Sequence, residues 1–276
     1  MDLQDVAPKS QAELLYEAQL RRDRQFRTNV AISWLVLLLI ILLIFSGKNL
    51  PFGLTGIQLD TQFMKDNWRF IAGGIPWTIL ISILSIILAM ILALLAALGR
   101  LSKFPPFYAL STFYVSLIRG TPLYLQIFFF FLALPQLGID LPGLWAGVLA
   151  LGLNYGAYMS EIFRAGIASV GKGQREAATA LGMTPRQTMT RIVLPQALRF
   201  AIPPTGNEFI AMTKDSALVS ATGFVHEIMW RATKVGRAHF RNLEALIIAA
   251  IFYWIITIIL SYLQSRLEAR LSRGDR

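Results

Sequence analysis

Six apolar runs, separated by short polar and basic stretches, set the reading of this chain. Val30 to Phe45 is the first, about 16 residues and near the lower length limit for crossing a bilayer. Ile75 to Leu98 is the second; Arg100 and Lys103 follow it, and Pro105-Pro106 forces a turn. Phe107 to Leu134 is the third, long and broken by Gly120 and Pro122. Leu144 to Tyr158 forms the core of the fourth, with Asn154 inside it. A fifth run extends from about Phe200 to Phe224, and a sixth from Leu243 to Leu263. The pattern predicts an all-α polytopic membrane protein with six transmembrane helices.

The intervening stretches set the orientation. Residues 1–28 are polar: Ser10-Gln-Ala-Glu13 fits a capping box, and Leu14, Leu15, Ala18 and Leu20 give a short helix an apolar side. Arg21, Arg22, Arg24 and Arg27 lie just before the first run. That run starts too late, is too long and lacks a small-residue cleavage site, so it does not read as a signal peptide. The N-terminal segment 1–28 is therefore expected in the cytoplasm, with 30–46 as a first membrane helix. The outer linker 47–74 is expected to carry a short interfacial helix capped by Asp60, with Phe63, Met64, Trp68 and Phe70 on it and Trp68 at the headgroups. Residues 223–242 read as a partly buried outer helix with Trp230 in the interface, and 264–276 as a basic inner tail. Of the 26 Lys and Arg, 17 fall on the proposed inner segments and 7 on the outer ones, while Arg119 and Lys214 lie within spans. This bias places both termini inside; the four outer cations between Gly223 and Asn242 run against it.

Composition narrows the class. Among 276 residues 55% are hydrophobic and 15% charged, more apolar sequence than a soluble domain of this size can cover. The net charge of +10 fits cytoplasmic loops facing anionic lipid; no nucleic-acid signature accompanies it. With no cysteine, neither disulfides nor thiolate chemistry are open to the chain. His226 and His239 are too few and too far apart to suggest a metal site.

Two stretches carry candidate chemistry. Glu176 to Pro195 is polar, small-residued and basic, and reads as two short helices with a joint. Gly182 ends the first by reaching the left-handed conformation; Thr184 is the N-cap and Pro185 the first turn of the second, which Pro195 is expected to stop. Ala177, Ala178 and Ala180 permit close backbone approach, and Met183, Met189, Ile192 and Val193 offer adaptable apolar contact. Either this hairpin docks a soluble protein or it packs on its own bundle. The second stretch centres on Arg119, about 18 Å along a helix from Phe107 and so near mid-membrane. An ionised Arg there needs protein, water or a partner. Gly120 and Pro122 open the backbone beside it, as broken helices do where transporters bind substrate. Two readings stay open: Arg119 grips a substrate carboxylate, or it pairs with Glu208 or Asp215. On the fifth span Asn207, Glu208, Ala211, Lys214 and Asp215 fall within an arc of about 120°, which must face inward; Glu208 is placed to meet a substrate amino group, while Lys214 and Asp215 read as a local pair. Asn154 reads as an inter-helix hydrogen-bonding residue, and Thr78 and Ser82 as bonded back to their own helix. Gln126 either lines the pathway or bonds a neighbouring helix.

The run Glu176-Ala-Ala, three residues, Gly182, nine residues, Ile192, one residue, Leu194-Pro195 resembles the EAA loop of ABC importer permeases. Arg119-Gly-Thr-Pro-Leu123 with Gln126 resembles the signature of the polar amino acid subfamily, as do Glu161 to Ile167, Leu194 to Arg199, and Asn207 to Ile210 followed by Lys214-Asp215-Ser216. The resemblance covers about Gly73 to the C-terminus. It implies a five-helix permease core over 75–263 with one extra N-terminal helix, and a cytoplasmic coupling loop at 161–199, which Glu161 and Arg164 at the inner mouth would hold in place. Coupling to an ATPase would fall to Glu176, Ala177, Ala178, Gly182, Met183, Ile192, Leu194 and Pro195, and substrate binding to Arg119, Gly120, Thr121, Gln126, Asn207 and Glu208. The expected partners are an ABC ATPase dimer, a second permease copy or close paralogue, a periplasmic or lipid-anchored amino-acid-binding protein, and membrane lipid, in a bacterial inner membrane. The chain has no Gly-x4-Gly-Lys-Ser/Thr loop, so ATP and Mg are expected on the partner and no cofactor on this chain. The competing reading is a self-sufficient ion-coupled transporter or channel using Arg119, Glu208 and Asp215. A membrane enzyme has no paired carboxylate, metal-ligand or nucleophile–base set to support it.

Overall fold

A computed structural model describes residues 11–45 and 57–271. The expected Ser10 cap, the linker residues 46–56 and the tail cations Arg273 and Arg276 lie outside the described residues. Every regular element among the described residues is helical. The chain divides into two units, 1–60 and 61–276.

Among the described residues of the first unit, the regular element is α1 (Gln11–Ile44). The expected short helix and first span are therefore continuous, because neither Gly nor Pro separates the arginine cluster from the apolar run.

In the second unit, α2 (Thr61–Ala72) begins directly after Asp60, and Gly73-Gly74 joins it to α3 (Ile75–Arg100). α4 (Pro105–Arg119) follows, then a turn at Gly120 to Pro122 and α5 (Leu123–Phe128), which passes into a π turn and a 3₁₀ turn ending at Gly138. Helix α6 (Gly143–Ser169) is the central rod. The loop helices α7 (Lys172–Ala180) and α8 (Pro185–Thr188) come next, then a π turn at Met189–Val193, α9 (Leu194–Asp215), a 3₁₀ segment Ser216–Thr222, α10 (Ile228–Ala238) and α11 (Asn242–Leu271).

By length and composition, Ala18–Ile44, Thr61–Arg100 and Asn242–Arg270 are able to cross a membrane, and α4 with the segment after it makes a fourth if that pair is one span. The pair is bent by 105°, so the expected third span is an elbow rather than a broken rod.

Small residues build the core. The parallel helices α3 and α6 approach closely: a Cβ on Gly152 would lie 2.6 Å from Leu88, and one on Gly156 would lie 3.0 Å from Leu92. Ala89, Ala93 and Ala97 are buried on the facing side, which lets backbones meet as they do in membrane bundles. α9 runs antiparallel to α6, with Ala197 against Gly166 and, just beyond α9 in the 3₁₀ segment, Val219 against Gly147. A second core, with Phe63, Ile71, Ile228, Val235, Ala245 and Ile248, joins α2, α10 and α11. Its buried polar centre is Glu227, which caps α10 by accepting from the backbone N–H groups of Met229 and Trp230 and takes the Tyr253 hydroxyl at 2.5 Å. Burial pushes the Glu227 carboxyl up to about 7, and these hydrogen bonds oppose it.

Several expected boundaries move. α6 continues through Glu161 and Arg164, so the inner loop begins only after Ser169. Pro195 does not stop a helix. The π turn has already shifted the ladder, with Leu194 N–H bonded to Met189 O, and the chain runs on helically to Asp215 through Pro203 and Pro204. The fifth run ends as a 3₁₀ segment closed by left-handed Gly223. Ser82 bonds back to Thr78 O as expected, but Thr78 accepts the Ile228 N–H across helices, at 3.4 Å.

The α3–α10 junction is tightest at Gly74, where a Cβ would lie 2.4 Å from the Ile228 nitrogen. Backbone cannot yield as a side-chain tip can. Gly74→Ala is expected to destabilise the protein by about 1–3 kcal/mol, read as a fall in thermal unfolding temperature in detergent. Gly173→Ala, which meets nothing within 4 Å, serves as the unchanged control.

Candidate functional site

The elbow creates the site. Gly120 and Pro122 stop α4 and restart the chain as α5, which leaves backbone carbonyls without helical donors. Gln126 supplies them: its amide donates to Ile118 O at 2.8 Å, Thr121 O at 3.1 Å and Thr121 Oγ1 at 2.9 Å. Asn154 Nδ2 on α6 donates to Gln126 Oε1 at 3.2 Å and ties the elbow to the central rod. The inter-helix role expected for Asn154 is present, and of the two readings of Gln126 the structure shows the bonding one. Gln126 is buried behind the elbow.

Arg119 stands at the corner. Its guanidinium lies 5.0 Å over the Tyr158 ring and 3.4 Å from Glu161 Oε1. Its carboxylate partner is thus neither Glu208 nor Asp215. Glu161 is already engaged by Arg100 through Oε1 and by Arg164 Nε at 3.0 Å through Oε2. Three guanidinium groups converge on one carboxylate, and Arg119 holds it most loosely.

An open cavity of about 670 Å³ starts at this corner. Arg119, Gly120 and Thr121 form one wall, Asn154, Tyr155 and Tyr158 the floor, and Glu208 with Asp215 the opposite wall. An adjoining recess of about 400 Å³ reaches Arg100, Ser116 and Glu161. One end is therefore cationic and the other anionic. Asp215 accepts the Tyr155 hydroxyl at 2.8 Å rather than pairing with Lys214, which is exposed.

Of the residues expected at the substrate site, Arg119, Gly120, Thr121 and Glu208 come together here and Gln126 supports them from behind. Asn207 does not join them: it accepts from Gln264 Nε2 of α11 at 3.0 Å. On a regular wheel Asn207 and Lys214 lie about 100° from Glu208 and Asp215, so the first pair sits on the side of the arc away from the cavity and the second pair lines it. Sequence reasoning missed Tyr155, Tyr158 and the convergence on Glu161. Asn154, Tyr158 and Glu161 do sit at i, i+4 and i+7 on α6, one helical face, and that spacing was the available signal.

The hairpin after α6 has its own small core of Ile167, Val170, Val193 and Ala197. Arg175 Nη2 donates to Ile167 O at 2.6 Å and holds α7 under the end of α6. Gly182 takes φ +75°, and Thr184 with Gln187 forms a full capping box for α8. Glu176, Ala177 and Gly182 face outward, joined by Leu181, which is 82% exposed and was not among the expected coupling residues. Ala178 is buried, Met183, Ile192 and Leu194 are half-buried, and Pro195 is exposed on the surface of α9.

Gln126→Leu keeps volume but strips the elbow of its donor. The variant is expected to lose about 1–3 kcal/mol, because the Ile118 and Thr121 carbonyls lose their shortest donor and Asn154 loses its acceptor. Thermal unfolding of the purified protein measures this, with Gln62→Leu on the exposed face of α2 as the neutral comparison.

The arrangement was compared with known proteins. Residues 85–273 match the family described as binding-protein-dependent transport system inner membrane component. The chain is 43% identical over 231 residues to the L-cystine transport system permease protein TcyB of Bacillus subtilis, covering 82% of this chain and 97% of that one. It is 42% identical over 220 residues to the arginine transport system permease protein ArtQ of the same organism, covering 79% and 100%. It is 36% identical over 219 residues to the glutamine transport system permease protein GlnP of Escherichia coli, covering 75% and 99%. A solved structure described as an amino acid ABC transporter with histidines superposes with a TM-score of 0.72 at 36% identity, over 78% of this chain and all of that one. On its sequence, its helical architecture and these relatives, the chain belongs to the binding-protein-dependent transport system inner membrane components.

Proposed function

We propose that this chain is the membrane-spanning permease subunit of an ATP-driven ABC importer of polar amino acids, with its translocation site at the α4–α5 elbow. What supports the reading is the polarity of the cavity. Three arginines surround one carboxylate at one end, and two carboxylates stand at the other. An amino acid carries the complementary pair of charges on one carbon. Arg119 releases its loose contact with Glu161 and takes the α-carboxylate by its guanidinium fork, and Arg100 with Arg164 keep Glu161 neutralised when it does. Glu208 meets the ammonium group. The names of the relatives, which concern cystine, arginine and glutamine, fit a zwitterion as the shared element.

Six membrane crossings complete the proposal: α1 as an addition to a five-helix core formed by α3, the α4–α5 elbow, α6, α9 and α11, with both termini in the cytoplasm. Helices α6 and α9 carry charge: Glu208 and Asp215 face the cavity, Glu161 and Arg164 lie toward the hairpin end, and Lys214 is exposed in the last turn of α9. Two copies of the chain, or one with a close relative, form the pathway. A partner ATPase dimer binds ATP and Mg and docks on the face formed by Glu176, Ala177, Leu181 and Gly182, with Ala178, Met183, Ile192, Leu194 and Pro195 fixing that face to the bundle. A soluble binding protein delivers the amino acid from outside. Against a self-sufficient transporter stands the inner hairpin, whose exposed leucine and capped joint would have no occupant.

Two variants test the two halves of the proposal. Arg119→Ala is expected to lower uptake into proteoliposomes at least 100-fold while the ATPase still co-purifies, a loss of about 3 kcal/mol or more for a charge-assisted contact. Uptake with ordinary apparent affinity would remove the carboxylate role. Glu176→Lys reverses charge on the docking face; uptake and ATPase co-purification are both expected to fall, with the protein still in the membrane. Unchanged association would exclude this face.

A further inference from the structure

Helices α2, α10 and the first turns of α11 are not needed for the cavity. Thr61–Arg100 is a stretch of 40 residues, about 60 Å of helix against a hydrocarbon core of about 30 Å. Exposed Trp77, Trp145 and Trp254 lie within about one turn of the same height, and we place the headgroup belt there, which sets Trp68, also exposed and expected at the headgroups, about 14 Å farther out. From Trp77 to Arg100 is about 35 Å of helix, enough to cross. What lies on the far side of Trp77 therefore stands outside the bilayer.

Helix α10 runs back along α2. Its start packs on Gly74, Arg231 donates to Phe70 O at 3.1 Å, and at its end the His239 ring meets Phe63 at 5.7 Å. The turn after α10 is thus level with Phe63, about 20 Å beyond Trp77 and clear of the headgroups. One face of the start of α11 is covered by the second core, with Ala245 and Ile248 buried in it, while Leu243 and Leu246 stay exposed on the other.

That turn is unusual. Arg241 N–H bonds to Gly236 O at 2.8 Å and Phe240 N–H to Arg237 O at 3.4 Å, the pattern that closes a helix around a left-handed residue. Glycine normally fills that position; here it is Phe240, at φ 55°. Its ring is 91% exposed and so does nothing for the fold in return for the strain. Around it the surface is basic. Helices α2 and α10 carry Lys65, Arg69, Arg231, Lys234 and Arg237 against Asp66, while Asp60 precedes α2, Glu227 is buried as the cap of α10 and Glu244 pairs with Arg241. Lys234 lies 4.6 Å over the Trp230 ring and Arg231 lies 5.1 Å over Phe70. Positive charge is disfavoured on the outer side of a membrane protein, so a cluster there calls for a reason.

Resting on the permease reading above, we propose that this three-helix cap is the docking surface for the soluble binding protein, with Phe240 as the anchor and the cations of α10 as a steering rim. The partner presents an acidic surface with an apolar recess for one phenyl ring. A basic rim around a single aromatic anchor is the usual distribution of energy in a protein–protein contact. The family's dependence on a binding protein supplies such a partner on the required side.

The test uses the importer reconstituted with its ATPase and its cognate binding protein, titrated while ATPase activity is followed. Phe240→Gly relieves the backbone strain, so the fold is retained. It is expected to raise the binding-protein concentration for half-maximal stimulation about 10-fold, which corresponds to about 1.4 kcal/mol, and to leave basal ATPase activity unchanged. Lys234→Glu with Arg237→Glu is expected to do the same and to flatten the salt dependence. An unchanged half-maximal concentration in both variants overturns the proposal, as does a defect that follows the anionic-lipid content of the liposomes instead of the binding protein. Because the chain lacks cysteine, Lys234→Cys reports the side directly with an impermeant maleimide; labelling only from the cytoplasmic face overturns the cap's role. A wild-type importer that binding protein does not stimulate at all contradicts the importer reading itself.

Discussion

One carboxylate shared among three arginines governs the site. Glu161 is reached by Arg100 from α3, by Arg119 from α4 and by Arg164 from its own helix. The cluster is part-exposed, so it adds little to stability, and in the role proposed here its surplus charge is what a ligand carboxylate meets. Here the surplus is two positive charges beside an open cavity. It also has an order: Arg100 and Arg164 are fixed by close contacts, and Arg119, at 3.4 Å and stacked on Tyr158, is the group free to change partner.

The rest of the bundle keeps that cluster in place. Parallel packing of α3 and α6 across Gly152 and Gly156 brings Arg100 level with Glu161. The elbow at Gly120 to Pro122 turns Arg119 toward both, and the Gln126–Asn154 bond holds the elbow to α6. α9 runs antiparallel to α6 and carries Glu208 and Asp215 to the far wall. α6 also ends beside the inner hairpin, where Arg175 bonds its last turn. The cavity floor at Asn154 to Tyr158, Glu161 and the hairpin contact at Ile167 therefore lie along one continuous helix.

Much of this was legible in the chain. The apolar runs, the joint at Gly182, Thr184 and Pro185, and the placing of Arg119 beside a backbone break all follow from local chemistry. What was not legible depends on distant contacts or on phase. A Gly-x-Pro break says that a helix stops but gives no angle, and the angle of 105° is what makes a cavity. The partner of Arg119 is 42 residues away, beyond the reach of spacing rules. Asn207 was misplaced because an arc of about 120° on α9 is wide enough to meet both the cavity and α11, and Pro195 because a π turn absorbs its missing donor.

The central claim, that a cation cluster and an opposing pair of carboxylates read the two charges of an amino acid, can be measured with the permease–ATPase complex alone, with no binding protein to impose its own selectivity. Thermal unfolding is recorded with saturating basic or polar amino acids and with the corresponding amines that lack the α-carboxylate. Binding to the folded state raises the unfolding temperature by mass action. Stabilisation by the amino acids and none by the amines is the predicted result. Equal stabilisation by both would contradict it, because the arginine cluster would then have no part in recognition.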